Sequence, residues 1–188
     1  QYALSFGIGD NFTLKKFNTS IAVKKIRDEK HQIRLFVSPG LYASHATHED
    51  DGQLMSDNKS QNYSLNIGTD YLWIVLKNRP VNLFTGTGLA VGYDYSVSKN
   101  IFYASDDESI YKTYGTAIEA GLRGILGVEW RVNPHIGIHS EYLVTGTYRW
   151  RKIENTTLDK INKEQVANLS SNVIFGLSVY LKSDGRNP

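Results

Sequence analysis

The chain reads as an all-β protein: a closed eight-stranded antiparallel up-and-down transmembrane β-barrel. Three observations carry that reading. Apolar and polar residues alternate with period 2 through most of the 188 residues, and a 3.6-residue period is almost nowhere found. Composition leans to 12 Tyr, 3 Trp and 16 Gly with a single Met, which favours strands over helices. The connectors between alternating segments are short and long in strict turn.

Eight segments show the alternation: residues 2–9, 19–27, 32–44, 62–77, 81–96, 117–132, 135–150 and 168–182. Most exceed the usual five or six residues of a strand. Tight links fall at 28–31, 78–80 and 133–134, where "NRP" and "NP" supply turn chemistry. Polar links at 10–18, 46–61, 97–116 and 151–167 are expected as long loops. Strict alternation gathers the short turns and both termini at one end and the long loops at the other. A meander of this kind can close on itself and leave no edge. Pro39 interrupts the third segment and predicts a bulge there. "LWIVL" at 72–76 is apolar on both faces, as an apolar plug at the short-turn end would be.

Bulk composition bounds the function. One domain of this size holds a real core. With 21 basic and 19 acidic residues, nothing draws the chain to nucleic acid. There is no cysteine, hence no disulfide framework and no Cys-based zinc site. No apolar run reaches the roughly 18–20 residues of a spanning helix. The mean hydropathy of −0.36 suits a soluble protein, yet a transmembrane barrel turns only alternate residues to lipid and averages polar too. The chain opens directly on "QYALSFGIG"; for an exported protein this places Gln1 near the mature start.

Strand parity separates a membrane barrel from a soluble, lipocalin-like one. In the sixth segment one face reads Ile118, Ala120, Leu122, Gly124, Leu126, Val128, Trp130; the other reads Glu119, Gly121, Arg123, Ile125, Gly127, Glu129, Arg131. The seventh segment repeats the split. The apolar faces are essentially free of charge and fringed by Tyr63, Tyr71, Trp73, Tyr93, Tyr95, Trp130, Tyr148 and Trp150, as interfacial girdles are. The opposite faces carry glycine and charges of both signs: Lys24, Arg34, Arg123, Arg131 and Arg149 against Asp70, Asp94, Glu119, Glu129 and Glu141, with His139. Balanced charges can be buried when each is paired. Glycine on the charged face suits a narrow interior, so this face is expected to line the lumen as a salt-bridged network.

With these patterns the chain resembles the small eight-stranded outer-membrane barrels, among them the barrel domain of outer membrane protein A and outer membrane protein X. "GVEWRVNPHIGIHSEY" looks like a periplasmic hairpin of that group and "NVIFGLSVYL" like its closing strand. The resemblance implies a Gram-negative outer-membrane protein with periplasmic termini and extracellular long loops. It spans residues 1–182; "KSDGRNP" departs from the usual aromatic end, and 183–188 reads as a tail or linker.

Catalysis and metal binding are the competing readings. His135, His139 and Glu141 share parity, but strand residues two and four apart lie about 7 and about 13 Å apart, so a zinc site needs ligands from other strands. "HSE" at 139–141 has the residue types of a lipid A deacylase, yet Ser140 faces away from His139 and Glu141. A lipid A palmitoyltransferase needs an apolar bore. No catalytic residue, metal or cofactor is therefore assigned. The acidic stretches "SHATHEDDGQ" and "SDDES" are expected to be solvated loops, with cation bridging to lipopolysaccharide as the functional alternative. Expected partners are outer-membrane lipid and lipopolysaccharide, and an envelope or extracellular protein reached through the loops. The leading reading is a non-enzymatic membrane protein, structural or interaction-mediating. A lipid A-modifying enzyme and a narrow channel for small solutes, apolar ones included, are the alternatives.

Overall fold

In the computed structural model, which describes residues 1–8, 16–50, 53–78, 80–104, 107–156 and 160–181, eight antiparallel strands close into a barrel. They are β1 (Tyr2–Ile8), β2 (Lys16–Ile26), β3 (His31–Asp50), β4 (Gln53–Asn78), β5 (Val81–Ala104), β6 (Asp107–Asn133), β7 (Ile136–Asn155) and β8 (Lys160–Leu181). Each pairs with its sequence neighbour, and β1 pairs with β8 through Tyr2↔Leu181 to Ile8↔Phe175. The chain ends of β1 and β8 thus meet at the short-turn end.

The register fixes the barrel's shape. Partners traced from Ala3 pass through Lys24, Arg34, Asp70, Gly88, Arg123 and Thr145 to Ser170. Ala3 itself faces Tyr180, ten residues farther along β8. Eight strands with a stagger of ten tilt by about 40° and leave a bore that side chains just fill.

Two short turns use the same local device. Asp28 Oδ1 accepts from the backbone N–H groups of Lys30 and His31, both at 2.8 Å. Asn133 Oδ1 accepts from those of His135 and Ile136, again at 2.8 Å. A short polar side chain thus takes up the donors that a tight reversal leaves free.

Two sequence expectations need correction. The links expected as long loops at 46–61, 97–116 and 151–167 are mostly strand, continuing β3 to β8 past the amphipathic segments. Beyond an apolar solvent both faces are wet, so the period-2 contrast fades while ladder pairing with neighbours continues. Pro39 causes no bulge: it pairs in register with Leu65, and the β2–β3 ladder lapses at Ser38–Pro39 and resumes unshifted. The register shifts lie elsewhere, at His48/Glu49, Ile74/Leu76 and Arg131/Asn133. The shift at Ile74/Leu76 turns both Val75 and Leu76 outward and resolves the "LWIVL" run. Its inward pair, Leu72 and Ile74, packs with Phe84, Ile125, Leu143 and Ile174 as an apolar layer of the lumen. The proposed tail, 183–188, lies outside the described residues.

β8 is asymmetric. Its residues Phe175–Val179 pair on both sides, whereas Lys160–Ile174 pair with β7 alone among the described residues.

Candidate functional site in the barrel lumen

Which face is inside decides what the barrel is. Leu122, Leu126 and Trp130 on β6 are 66%, 52% and 50% exposed, while Glu129 between them is 2%. Lys24, Asp70 and Glu141 are 1% exposed. The apolar parity faces outward and the charges fill the interior, the inverse of a soluble barrel.

The outer face is bounded by two aromatic rings. Trp130, Trp73 and Tyr2 lie towards the short-turn end; Tyr63, Tyr93, Tyr148 and Trp150 lie towards the other. Trp130 is level with Ile138 on β7, and Trp150 lies twelve residues beyond it. At a rise of about 3.4 Å and a tilt of about 40°, the rings stand about 25–30 Å apart along the axis, the height of a hydrocarbon core.

Inside, the structure brings seven of the eleven expected lumen residues into one buried network. Arg34 Nε donates to Asp70 Oδ2 at 2.8 Å, and its Nη1 reaches Glu141 Oε1 at 2.6 Å. Arg123 Nη1 approaches Asp70 Oδ1 at 3.7 Å while its guanidinium lies 4.0 Å over the Phe36 ring. Lys24 Nζ donates to Glu129 Oε1 at 3.4 Å and to Ser178 Oγ at 3.0 Å. Tyr180 Oη donates to Glu129 Oε2 at 2.5 Å. His139 joins the halves, 3.7 Å from Glu141 and 3.3 Å from Ser178.

Asp94, Glu119 and Arg149 form a second cluster nearer the far end, with Arg149 reaching Asp94 at 2.6 Å and Glu119 at 3.0 Å. Among the described residues, Arg131 touches the first network only through Tyr180. Its guanidinium stacks over the Tyr180 ring at 4.4 Å, and no carboxylate pairs with it among the described residues. His135 sits exposed in the short turn, apart from His139 and Glu141.

Glycine makes room for this filling. A Cβ at Gly176 would lie 2.4 Å from His139 Nε2 and from Phe6 O, and one at Gly88 would lie 2.0 Å from Asp70 Oδ1. Sequence reasoning passed over Ser5, Phe84, Ser178 and Tyr180 as lumen residues. Parity held the signal: Tyr180 and Ser178 lie in step with Gly176, and Phe84 with Asn82 and Gly86.

Chemically, the lower lumen is a closed set of paired charges. Ser178 and His139 with Glu141 have hydrolase residue types, but Ser178 is 0% exposed and His139 3%. Towards the far end the lumen widens into a cavity of about 570 Å³ between Arg123, Arg149 and the upper part of β8. Among the described residues, no group of three or more His, Asp or Glu is placed to hold a metal ion.

No family model and no curated protein matches the chain. Solved structures do. A major outer membrane protein from Thermus thermophilus is 14% identical, with 95% of this chain and 97% of that one covered and a TM-score of 0.56. The unliganded ferric citrate transporter FecA is 8% identical, at TM-score 0.53 over 85% of this chain and 24% of its own. The outer membrane protein OprG of Pseudomonas aeruginosa is 13% identical, at TM-score 0.48 over 95% and 93%. By its fold, the chain is a small eight-stranded β-barrel of the outer-membrane type.

Proposed function

We propose that this is a non-enzymatic integral protein of a bacterial outer membrane that acts through the β-wall it raises above the bilayer. Termini and short turns lie in the periplasm, and the long hairpins lie outside the cell. One observation carries the reading: the lumen is filled by the ion network and apolar layer at the short-turn end, while six strands run on well past the far aromatic ring. A sealed bore beneath a tall sheet suits an interaction surface better than a pore. The decisive experiment is planar-bilayer conductance of the refolded protein: the baseline stays flat, and stable open steps would contradict the reading. Mass spectrometry of lipid A from cells with and without the protein would be unchanged; a new acylation state would restore the enzyme reading.

A second reading has its own observation. The 570 Å³ cavity reaches the stretch of β8 that, among the described residues, pairs with β7 alone, which supports entry of small solutes through the side of the upper wall. Swelling of proteoliposomes in isosmotic small solutes tests it, and absence of swelling removes it.

A further inference from the structure

On the outer wall just beyond the far aromatic ring, four basic side chains stand in one cross-strand row. His45 on β3 faces Lys59 on β4, Lys59 faces Lys99 on β5, and Lys99 faces Lys112 on β6. All four have the outward parity of their strands. Lys59 lies four residues past Tyr63 and Lys99 four past Tyr95, about 10 Å above the ring along the axis. Like charges directly opposite in a sheet repel, so such a ladder costs stability unless an anion bridges it. The wall supplies little compensation: Asp57 pairs with Lys59 at 3.0 Å and His45 at 2.7 Å, and no carboxylate reaches Lys99 or Lys112 among the described residues. A groove of about 440 Å³ runs along the row, with His45, Lys59 and Lys99 on its sides and Gln61 and Val97 below. A second like pair, Lys152 facing Lys163, stands at a similar level beside Trp150 and Tyr93. At the short-turn end the arrangement differs, since Lys77 pairs with Glu29 at 3.0 Å.

We infer that the Lys59–Lys99–Lys112 row is a binding site for the phosphorylated sugar headgroup of lipid A. The row's height matches a headgroup whose acyl chains lie along the apolar belt. Three cations on adjacent strands span about 10 Å and suit a ligand with more than one phosphate. The inference rests on the proposed orientation, with the hairpins outside the cell.

The test is titration of the refolded, detergent-solubilised protein with lipid A, read by native mass spectrometry. The Lys99→Gln/Lys112→Gln variant should bind at least tenfold more weakly, with its heat-dependent gel mobility unchanged. Dephosphorylated lipid A should bind poorly, and phosphatidylglycerol should not displace lipid A. Lys99→Glu should raise the urea midpoint in phosphatidylcholine vesicles, where it relieves repulsion, and abolish the stabilisation that added lipid A gives the wild type. Binding within twofold of wild type in the double variant, equal displacement by phosphatidylglycerol, or the same loss in Lys25→Gln/Lys77→Gln would each overturn the site. Labelling of Thr47→Cys on intact cells checks the orientation separately. Its failure to label would remove the proposed orientation and with it the site's access to lipid A.

Discussion

Arg34 on β3 and Glu141 on β7 meet across the bore, guanidinium to carboxylate at 2.6 Å, from strands that share no ladder. Both side chains are buried, and Asp70 holds the other edge of Arg34. The pair therefore ties opposite walls together. Removing one member of such a pair leaves a buried charge, which costs more than the pair contributes. Glu141→Ala should lower stability by about 3–5 kcal/mol in urea unfolding from lipid vesicles. Replacing both partners by Met should lose less than the sum of the single losses; additive losses would show that the two do not act together.

The apolar layer beside the pair is expected to behave as packing. Phe84 fills the space above Gly127, beside Leu72, Ile125 and Leu143. Phe84→Ala should cost about 3–5 kcal/mol. Were the lumen otherwise open, the same variant would conduct, so paired stability and conductance measurements separate a plug from a gate.

Gly176→Ala probes a close approach of backbone and side chain in the lumen. The added methyl meets His139 and the Phe6 carbonyl at once, and the backbone contact cannot move aside. A loss of about 1–3 kcal/mol is expected, against near neutrality at Gly124, whose Cβ would make only an ordinary contact at 3.9 Å.

The first short turn carries a pH dependence. Hydrogen bonds from Lys30 N–H and from the His31 ring, with a further one from His31 N–H, hold the Asp28 carboxyl below its ordinary value. A depressed carboxylate gives stability that is present above its unfolded pKa, near 3.9, and lost as pH falls through the folded value. Asp28→Asn should thus be less stable than wild type at pH 7, with the gap narrowing below about pH 4. A gap that widens on acidification would contradict the turn's role.

Much of this was legible in the sequence because a membrane barrel writes its two solvents into alternate residues. The split between Glu129 and Trp130, or Glu141 and Tyr142, named the lumen and the lipid face before any coordinates. Parity could not show where strands end once both sides are wet, so the stretches around Lys59, Lys99 and Lys152 read as loops. It also could not supply register. Arg131 had the right parity and charge, but its neighbour in the barrel is the Tyr180 ring. Pro39 was weighed as a local defect, although β4 holds that strand straight through Leu65.

The central claim is that β7 turns Tyr142, Val144 and Tyr148 to lipid and His139, Glu141 and Leu143 to a filled lumen. The chain has no cysteine, so single cysteines placed from 138 to 148 can each carry a nitroxide without background. In phosphatidylcholine vesicles, collisions with oxygen should be high at even positions and low at odd ones, with a water-soluble nickel reagent excluded from the even positions and from 139, 141 and 143, and admitted only at 145 and 147, which line the open upper cavity. Reversed parity, or nickel access at the even positions, would contradict the account.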